Sequence, residues 1–114
     1  MFKLSLLSFG VAAVLGLTLA VRHFTLKGLP LPLALAHGFF GAAGLVLLAV
    51  AAVKESFPGH TGLALALFIV TALGGFTLYA MSAAKRELVS TLIVIHGSAA
   101  VVSFLILLSS ALSA

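Results

Sequence analysis

Several residue types that carry common chemistry are missing or rare in this chain. There is no cysteine, which excludes disulfides, thiolate-bound metals and iron–sulfur clusters. Charged residues make up 7% of the 114 residues, against roughly 25% in ordinary soluble domains. The two acids, Glu55 and Glu87, stand at the boundaries of apolar runs, so no carboxylate inside a run can couple to protons or cations. Three prolines and no polar low-complexity tract leave no linker, and we expect one domain over residues 1–114.

Four apolar runs fill most of the sequence, in which 63% of the residues are hydrophobic. They cover residues 4–21, 31–53, 61–84 and 88–112. Each is about 18–25 residues long, which is the length that a helix needs to cross roughly 30 Å of hydrocarbon. Backbone polar groups in lipid must be satisfied internally, so the runs are predicted to be helices. Because the connections are short, we expect an all-α integral membrane protein with an up-down-up-down four-helix bundle.

The first run has one alternative interpretation, a cleaved signal peptide beginning at Lys3. The apolar stretch is long for the hydrophobic region of a signal peptide, and no small-x-small cleavage site precedes Arg22. A retained first helix is therefore the favoured prediction.

The two halves of the chain are similar to each other at a fixed offset. His37 and His96 differ by 59 positions (96 − 37), and the same offset aligns residues 4–53 with residues 63–112 without a gap. About 14 of 50 aligned positions are identical. Self-similarity of this kind indicates repeated structural units. Each unit would be a helical hairpin, so both would insert in the same direction, related by an axis along the membrane normal.

The formal net charge of +4 comes from six Lys and Arg residues that stand near the ends of the apolar runs. Cations placed in this way indicate membrane topology, and no nucleic-acid partner is expected. Those that follow the first and third runs are Arg22, Lys27, Lys85 and Arg86. The opposite side carries Lys3 and Lys54. The positive-inside rule then predicts that the hairpin turns face the cytoplasm and both termini face outward. We expect a bacterial inner membrane, where the outward side is the periplasm.

His37 and His96 are ionisable residues inside apolar runs, and each is followed by glycine. An ionisable side chain in hydrocarbon is costly, so it marks a functional-site hypothesis. His37 lies six residues into its run, roughly 9 Å below the interface. As equivalent positions of the two units, the histidines should lie at one depth and face each other across the bundle. Their helices are diagonal neighbours, with axes roughly 12–14 Å apart, which leaves space for two imidazoles and one metal.

Small residues are expected in the same layer. Gly16 and His37 are about equally far along the chain from the connection between the first two runs, so they should be level with each other. Gly75 and His96 have the same relation to the connection between the last two runs. Gly41 and its equivalent Ala100 lie four residues beyond the histidines. Small residues allow close helix packing, but glycine and histidine at one depth in both units favours space for a flat group.

A haem b iron meets these requirements, because haem iron accepts histidine axial ligands and helical bundles hold such cofactors. We therefore expect His37 and His96 to bind the iron. The cations Arg22, Lys27, Lys85 and Arg86 are on the side nearer the histidines, where they could bind the propionates. The pattern is similar in architecture to integral-membrane b-type cytochromes with paired histidines on separate helices. With both axial positions filled by the protein, the expected chemistry is one-electron transfer. A quinone or another redox protein is a candidate partner, and a homodimer or a larger complex remains open.

Two other functions remain open from the sequence. In a structural subunit of a larger membrane complex, the histidines would be buried hydrogen-bonding residues. A small transporter could use the histidine pair, and the length and four spans resemble small multidrug-resistance exporters. Those exporters depend on a membrane-embedded glutamate in the first helix, which this chain lacks. Zinc or copper is less favoured, since two histidines form an incomplete site.

Overall fold

The computed structural model describes residues 1–55 and 59–112, and these form four helices. They are α1 (Phe2–Phe24), α2 (Leu31–Lys54), α3 (Thr61–Ala83) and α4 (Ser90–Leu112). All four are long and apolar enough to cross a membrane, with mean hydropathies of 2.1 to 2.3. The predicted four-helix bundle is thereby confirmed. Residues 56–58 of the predicted polar connection after α2, and residues 113–114 of the predicted domain, lie outside the described residues.

Consecutive helices run in opposite directions and form two hairpins, α1–α2 and α3–α4. The amino group of Met1 lies 3.3 Å from a carboxylate oxygen of Glu55, which joins the start of α1 to the end of α2. In the second hairpin, the backbone amide of His60 donates to the Ser110 hydroxyl at 3.1 Å. The hairpins meet along α1–α4 and α2–α3. The bundle measures 43 × 19 × 19 Å, and its long axis suits helices of about 35 Å.

The turns within the two hairpins have the same hydrogen bonds. Each turn contains one residue with a left-handed backbone conformation, Leu26 (φ 59°) after α1 and Lys85 (φ 56°) after α3. The Lys27 amide donates to the Arg22 carbonyl at 2.9 Å, and the equivalent bond of the second turn is also 2.9 Å. This is the Schellman motif, which usually has glycine at the left-handed position. Both turns therefore place a side chain where L-residues are strained.

The hydrophobic core is small and lies near the end of the bundle opposite the hairpin turns. It consists of Phe9, Leu48, Ala64, Phe68 and Leu107. The rings of Phe9 and Phe68 stack across the α1–α3 diagonal, with centroids 3.8 Å apart and planes at 1°. Leu48 and Leu107 are fully buried. Burial of aliphatic and aromatic side chains makes this end the tightly packed part of the bundle.

The packed core stops halfway along the helices. The last buried residue of α1 is Ala12 and that of α3 is Thr71, whereas the first buried residues of α2 and α4 are Gly44 and Ser103. Between these positions and the hairpin turns, none of the described residues is buried. The half of the bundle that carries His37 is thus more loosely packed than the other half.

Corresponding features of the hairpins are 59 residues apart. This holds for the first and last residues of α1 and α3, for the first residues of α2 and α4, and for the two left-handed turn residues. It also holds for six pairs of buried residues. These pairs are Ser5–Ala64, Phe9–Phe68, Ala12–Thr71, Gly44–Ser103, Leu48–Leu107 and Ala51–Ser110. The two hairpins therefore bury corresponding faces.

Candidate functional site

His37 and His96 lie side by side where the packed core ends. Each is six residues into its helix, roughly 9 Å from the helix start. Both side chains are half-buried. Their ring centroids are 6.2 Å apart, and the ring planes stand at 89° to each other. The structure thus brings together two imidazoles that the sequence separates by 59 positions, and it does so across the α2–α4 diagonal.

A backbone carbonyl of the adjoining helix holds each imidazole. His37 Nδ1 lies 2.8 Å from the carbonyl oxygen of Ala12, and His96 Nδ1 lies 3.0 Å from that of Thr71. A carbonyl can only accept, so each Nδ1 must carry the proton and donate it. In the neutral ring the lone pair is then on Nε2. Within the described part of the chain, neither Nε2 has a hydrogen-bonding partner.

Both rings make the kind of hydrogen bond that is common among metal-binding histidines. Metal-binding histidines usually donate the N–H of the other ring nitrogen to a carbonyl or carboxylate, which fixes the tautomer and the ring orientation. His37 and His96 meet this condition in the same way, through carbonyls that are themselves 59 residues apart. The chain therefore presents two oriented Nε2 donors in one layer.

Gly16 and Gly75 contact the imidazoles directly. A Cβ atom on Gly16 would lie 2.7 Å from Cε1 of His37, and one on Gly75 would lie 3.0 Å from Cε1 of His96. These distances are shorter than carbon–carbon contacts of about 3.5–4.0 Å. The two glycines, which the sequence places level with the histidines, allow each ring to lie against the neighbouring helix and reach its carbonyl.

Gly41 and Ala100 lie one turn beyond the histidines toward the core, and both are partly buried. A Cβ atom on Gly41 would have no atom of the described residues within 4 Å, apart from its own helix and chain neighbours. Gly41 therefore leaves open space beside the histidine layer, whereas Gly16 is in contact with the ring.

The four predicted cations all lie at the turn end of the bundle, which is the end nearer the histidines. The guanidinium of Arg22 donates to the carbonyls of Gly28 (3.0 Å) and Lys27 (2.9 Å) and so stabilises its own turn. Lys27, Lys85 and Arg86 are exposed. Three cations at this end are thus available to an anionic group, and the fourth already has backbone partners.

Two features of the site carry no recognisable sequence signal. The carbonyl acceptors belong to Ala12 and Thr71, and a backbone carbonyl is present at every position. His23, a residue with no assigned role in the sequence, lies with Nε2 3.2 Å from the hydroxyl of Ser90 and joins the two hairpins near their turns. Only the helix packing identifies these contacts.

The donor set is limited to two imidazoles. Among the described residues, no group of three or more His, Asp and Glu side chains could hold a metal ion. A structural zinc site needs four ligands and a catalytic one needs three. Two histidine nitrogens suit a metal that arrives with its other ligands, as haem iron does with its four porphyrin nitrogens.

Comparisons with protein-family models, curated proteins and solved structures find no match for this chain. The function of this chain is therefore inferred from the geometry of its own residues, chiefly the paired imidazoles and the glycines beside them.

Proposed function

We propose that this protein is a membrane-embedded b-type cytochrome, in which His37 and His96 are the two axial ligands of one haem b. In this proposal the chain is a tandem repeat of two helical hairpins, and the histidines are equivalent residues of the two copies. With His37 and His96 both holding the iron, the haem would supply one-electron transfer.

Membrane insertion is supported by the four apolar helices and by the many large apolar side chains on the outside of the bundle. A soluble protein seldom exposes contiguous apolar surface of this extent. The cations at the hairpin turns support an orientation with those turns in the cytoplasm and both termini in the periplasm of a bacterial inner membrane.

The observation that carries the proposal is the separation of the oriented imidazoles. Metal–imidazole bonds of about 2.0–2.1 Å, as in zinc proteins, would put the ring centroids of two opposed histidines roughly 6.3 Å apart. The observed separation is 6.2 Å. With each Nδ1 engaged by a carbonyl, the coordinating lone pair on Nε2 is free. Two rings held at this distance by hydrogen bonds are suited to one metal between them.

The surroundings also suit a flat, apolar, dianionic cofactor. The imidazoles fill the space beside Gly16 and Gly75, whereas Gly41 leaves open space next to the histidine layer. The turn half of the bundle has no buried side chain among the described residues. Lys27, Lys85 and Arg86 could balance the propionates at the near end. Arg22 could join them only by giving up part of its bonding to the turn carbonyls.

The chain's residues have three tasks in this function. His37 and His96 bind the iron and fix its coordination. The carbonyls of Ala12 and Thr71 would orient the rings and fix their tautomer, as outer hydrogen bonds do for other metal-bound histidines. The apolar helices exclude water from the site. The haem itself, when bound, supplies the reversible change between ferric and ferrous iron.

The test is an absorption spectrum of the purified full chain, expressed with adequate haem supply. We expect a reduced-minus-oxidised spectrum of a six-coordinate low-spin b haem, with one haem per chain. His37→Ala and His96→Ala should each abolish six-coordinate ligation. The chain offers matched controls in its other histidines: His23→Ala and His60→Ala should keep the parent spectrum.

Other results would overturn the proposal. A colourless protein that purifies with partner subunits would indicate a structural role, and substrate-dependent flux that survives haem depletion would indicate a transporter. Loss of the spectrum in the His23 or His60 variants alone would assign the haem to other residues. Equal helix content of all four variants, measured by circular dichroism, ensures that spectra from folded chains are compared.

A further inference from the structure

A half-enclosed cavity of about 130 Å³ opens between α3 and α4 next to His96. Its floor includes Thr71, Gly74, His96 and Ala99, and four more exposed residues form its rim. The rim residues are Val70, Thr77, Leu92 and Ile95. A cavity of about 150 Å³ in an apolar protein core can bind benzene, so this one is about the size of a single six-membered ring.

The cavity results from three differences between the hairpins. At the positions 59 residues earlier, α1 and α2 carry Ala12, Leu15 and Phe40, whereas α3 and α4 carry Thr71, Gly74 and Ala99. Two large apolar side chains are thus replaced by small ones, and a hydroxyl is added. At these positions the second hairpin therefore has smaller side chains and one more hydroxyl than the first, although its helices and turns match those of the first.

The polar groups of the cavity are acceptors. The Thr71 hydroxyl donates to the Leu67 carbonyl at 2.8 Å, and the Thr77 hydroxyl donates to the Leu73 carbonyl at 3.0 Å. Each hydroxyl oxygen then keeps lone pairs but has no proton left to donate. His96 Nδ1 donates to the Thr71 carbonyl. A polar group of a ligand that bonds to these oxygens must therefore be a hydrogen-bond donor, such as an O–H group.

We propose that the α3–α4 cavity binds one aromatic ring that carries a hydroxyl donor, a ligand of the phenol class that includes reduced quinones. The ring fills the space left by Gly74 and Ala99, and its hydroxyl donates to a threonine oxygen. A lipid acyl chain could fill the same space but would leave those oxygens without a donor. This site does not require a bound haem, because all of its lining belongs to α3 and α4.

The probes are 4-fluorophenol and 4-fluorotoluene, which have similar shape but differ in the hydroxyl. Binding to the full-length protein in detergent micelles is followed by ¹⁹F NMR. We expect saturable binding of one 4-fluorophenol per chain. Its affinity should exceed that of 4-fluorotoluene by roughly two- to tenfold, the effect of one net hydrogen bond. The Thr71→Val variant should reduce this preference if Thr71 is the acceptor, and Thr77→Val should do so if Thr77 is.

Exchanging residues between the hairpins provides the matched variants. Gly74→Leu with Ala99→Phe restores the side chains of the first hairpin and should abolish saturable binding. The Gly74 change is sterically admissible, because a Cβ atom there would lie 3.6 Å from the nearest atom, Nδ1 of His96. The single variant Ala99→Phe serves if the double variant does not fold. Ala12→Thr with Leu15→Gly and Phe40→Ala gives the first hairpin all three residues of the second, and should open a second site and raise the stoichiometry to two.

Three results would overturn the proposal: partition of both probes into micelles without saturation, unchanged binding in the filled variants, or equal affinities for both probes. The last would leave an apolar space that lipid alone occupies. Haem content, measured on the same samples, separates this site from the proposed function. A chain that binds 4-fluorophenol without haem would contradict only the cytochrome, and a haem protein without phenol binding would contradict only this site.

Discussion

Replacing Gly16 with alanine should disrupt the packing of His37. The new methyl carbon would lie 2.7 Å from Cε1 and 3.2 Å from Nδ1 of the imidazole. Because relaxed carbon–carbon contacts are about 3.5–4.0 Å, the ring must move by roughly 1 Å or the helices must separate. Either movement lengthens the 2.8 Å bond between Nδ1 and the Ala12 carbonyl. The substitution therefore affects both the packing and the orientation of His37.

The expected cost follows from these two effects. Overpacking of a close contact costs about 1–3 kcal/mol, and loss of the hydrogen bond adds about 0.5–1.5 kcal/mol. Alanine in place of glycine within a helix offsets up to about 1 kcal/mol. The net loss of stability for Gly16→Ala is therefore about 0.5–4.5 kcal/mol. Gly75→Ala should be milder, since its Cβ atom would lie 3.0 Å from His96 Cε1.

The assay is reversible unfolding of the purified full chain in mixed micelles, followed by the circular dichroism of its helices. Gly10→Ala is the matched control on the same helix, because a Cβ atom there meets no described atom within 4 Å outside its own helix and chain neighbours. That control should be neutral, or more stable by up to about 1 kcal/mol. Equal unfolding free energies for the Gly16 and Gly10 variants would refute the reasoning, whether or not haem is bound.

Three further substitutions and one control test the turns and the core. Leu26→Gly and Lys85→Gly should each stabilise the fold by up to about 1 kcal/mol, because glycine relieves the left-handed strain of about 1–2 kcal/mol but adds freedom to the unfolded chain. A lower unfolding free energy in both would contradict this. Gly44→Ala should destabilise by about 1–3 kcal/mol, because its Cβ atom would meet the Phe9 ring at 2.9 Å. Gly41→Ala should not destabilise the fold, because a Cβ atom there meets no such contact. Equal losses of unfolding free energy in the Gly44 and Gly41 variants would contradict this explanation.

The apolar runs alone predict the number of helices and their approximate bounds. Each run has the length of a membrane-crossing helix, and short connections require antiparallel neighbours. The predicted third run, 61–84, differs by one residue from α3, Thr61–Ala83. The fourth begins at residue 88 in the prediction but at Ser90 in the structure, because hydropathy does not distinguish an apolar approach to a helix from its first turn.

The sequence also indicated the histidine pair and the glycines beside it. Equal spacing from the hairpin turns was enough to place Gly16 level with His37, because adjacent antiparallel helices rise by the same length per residue. The prediction that haem occupies this layer is a separate matter of chemistry. The absorption spectrum of the purified chain tests it.

By itself, then, the sequence determined four apolar helices, two similar hairpins and two histidines at one depth. The tertiary structure decided what each imidazole bonds to, that Arg22 is engaged by its own turn, and that the packed core occupies only one half of the bundle. It also revealed the cavity beside His96. The physical reason is that periodicity and length describe single helices, whereas carbonyl partners, contacts and cavities depend on how side chains from different helices meet.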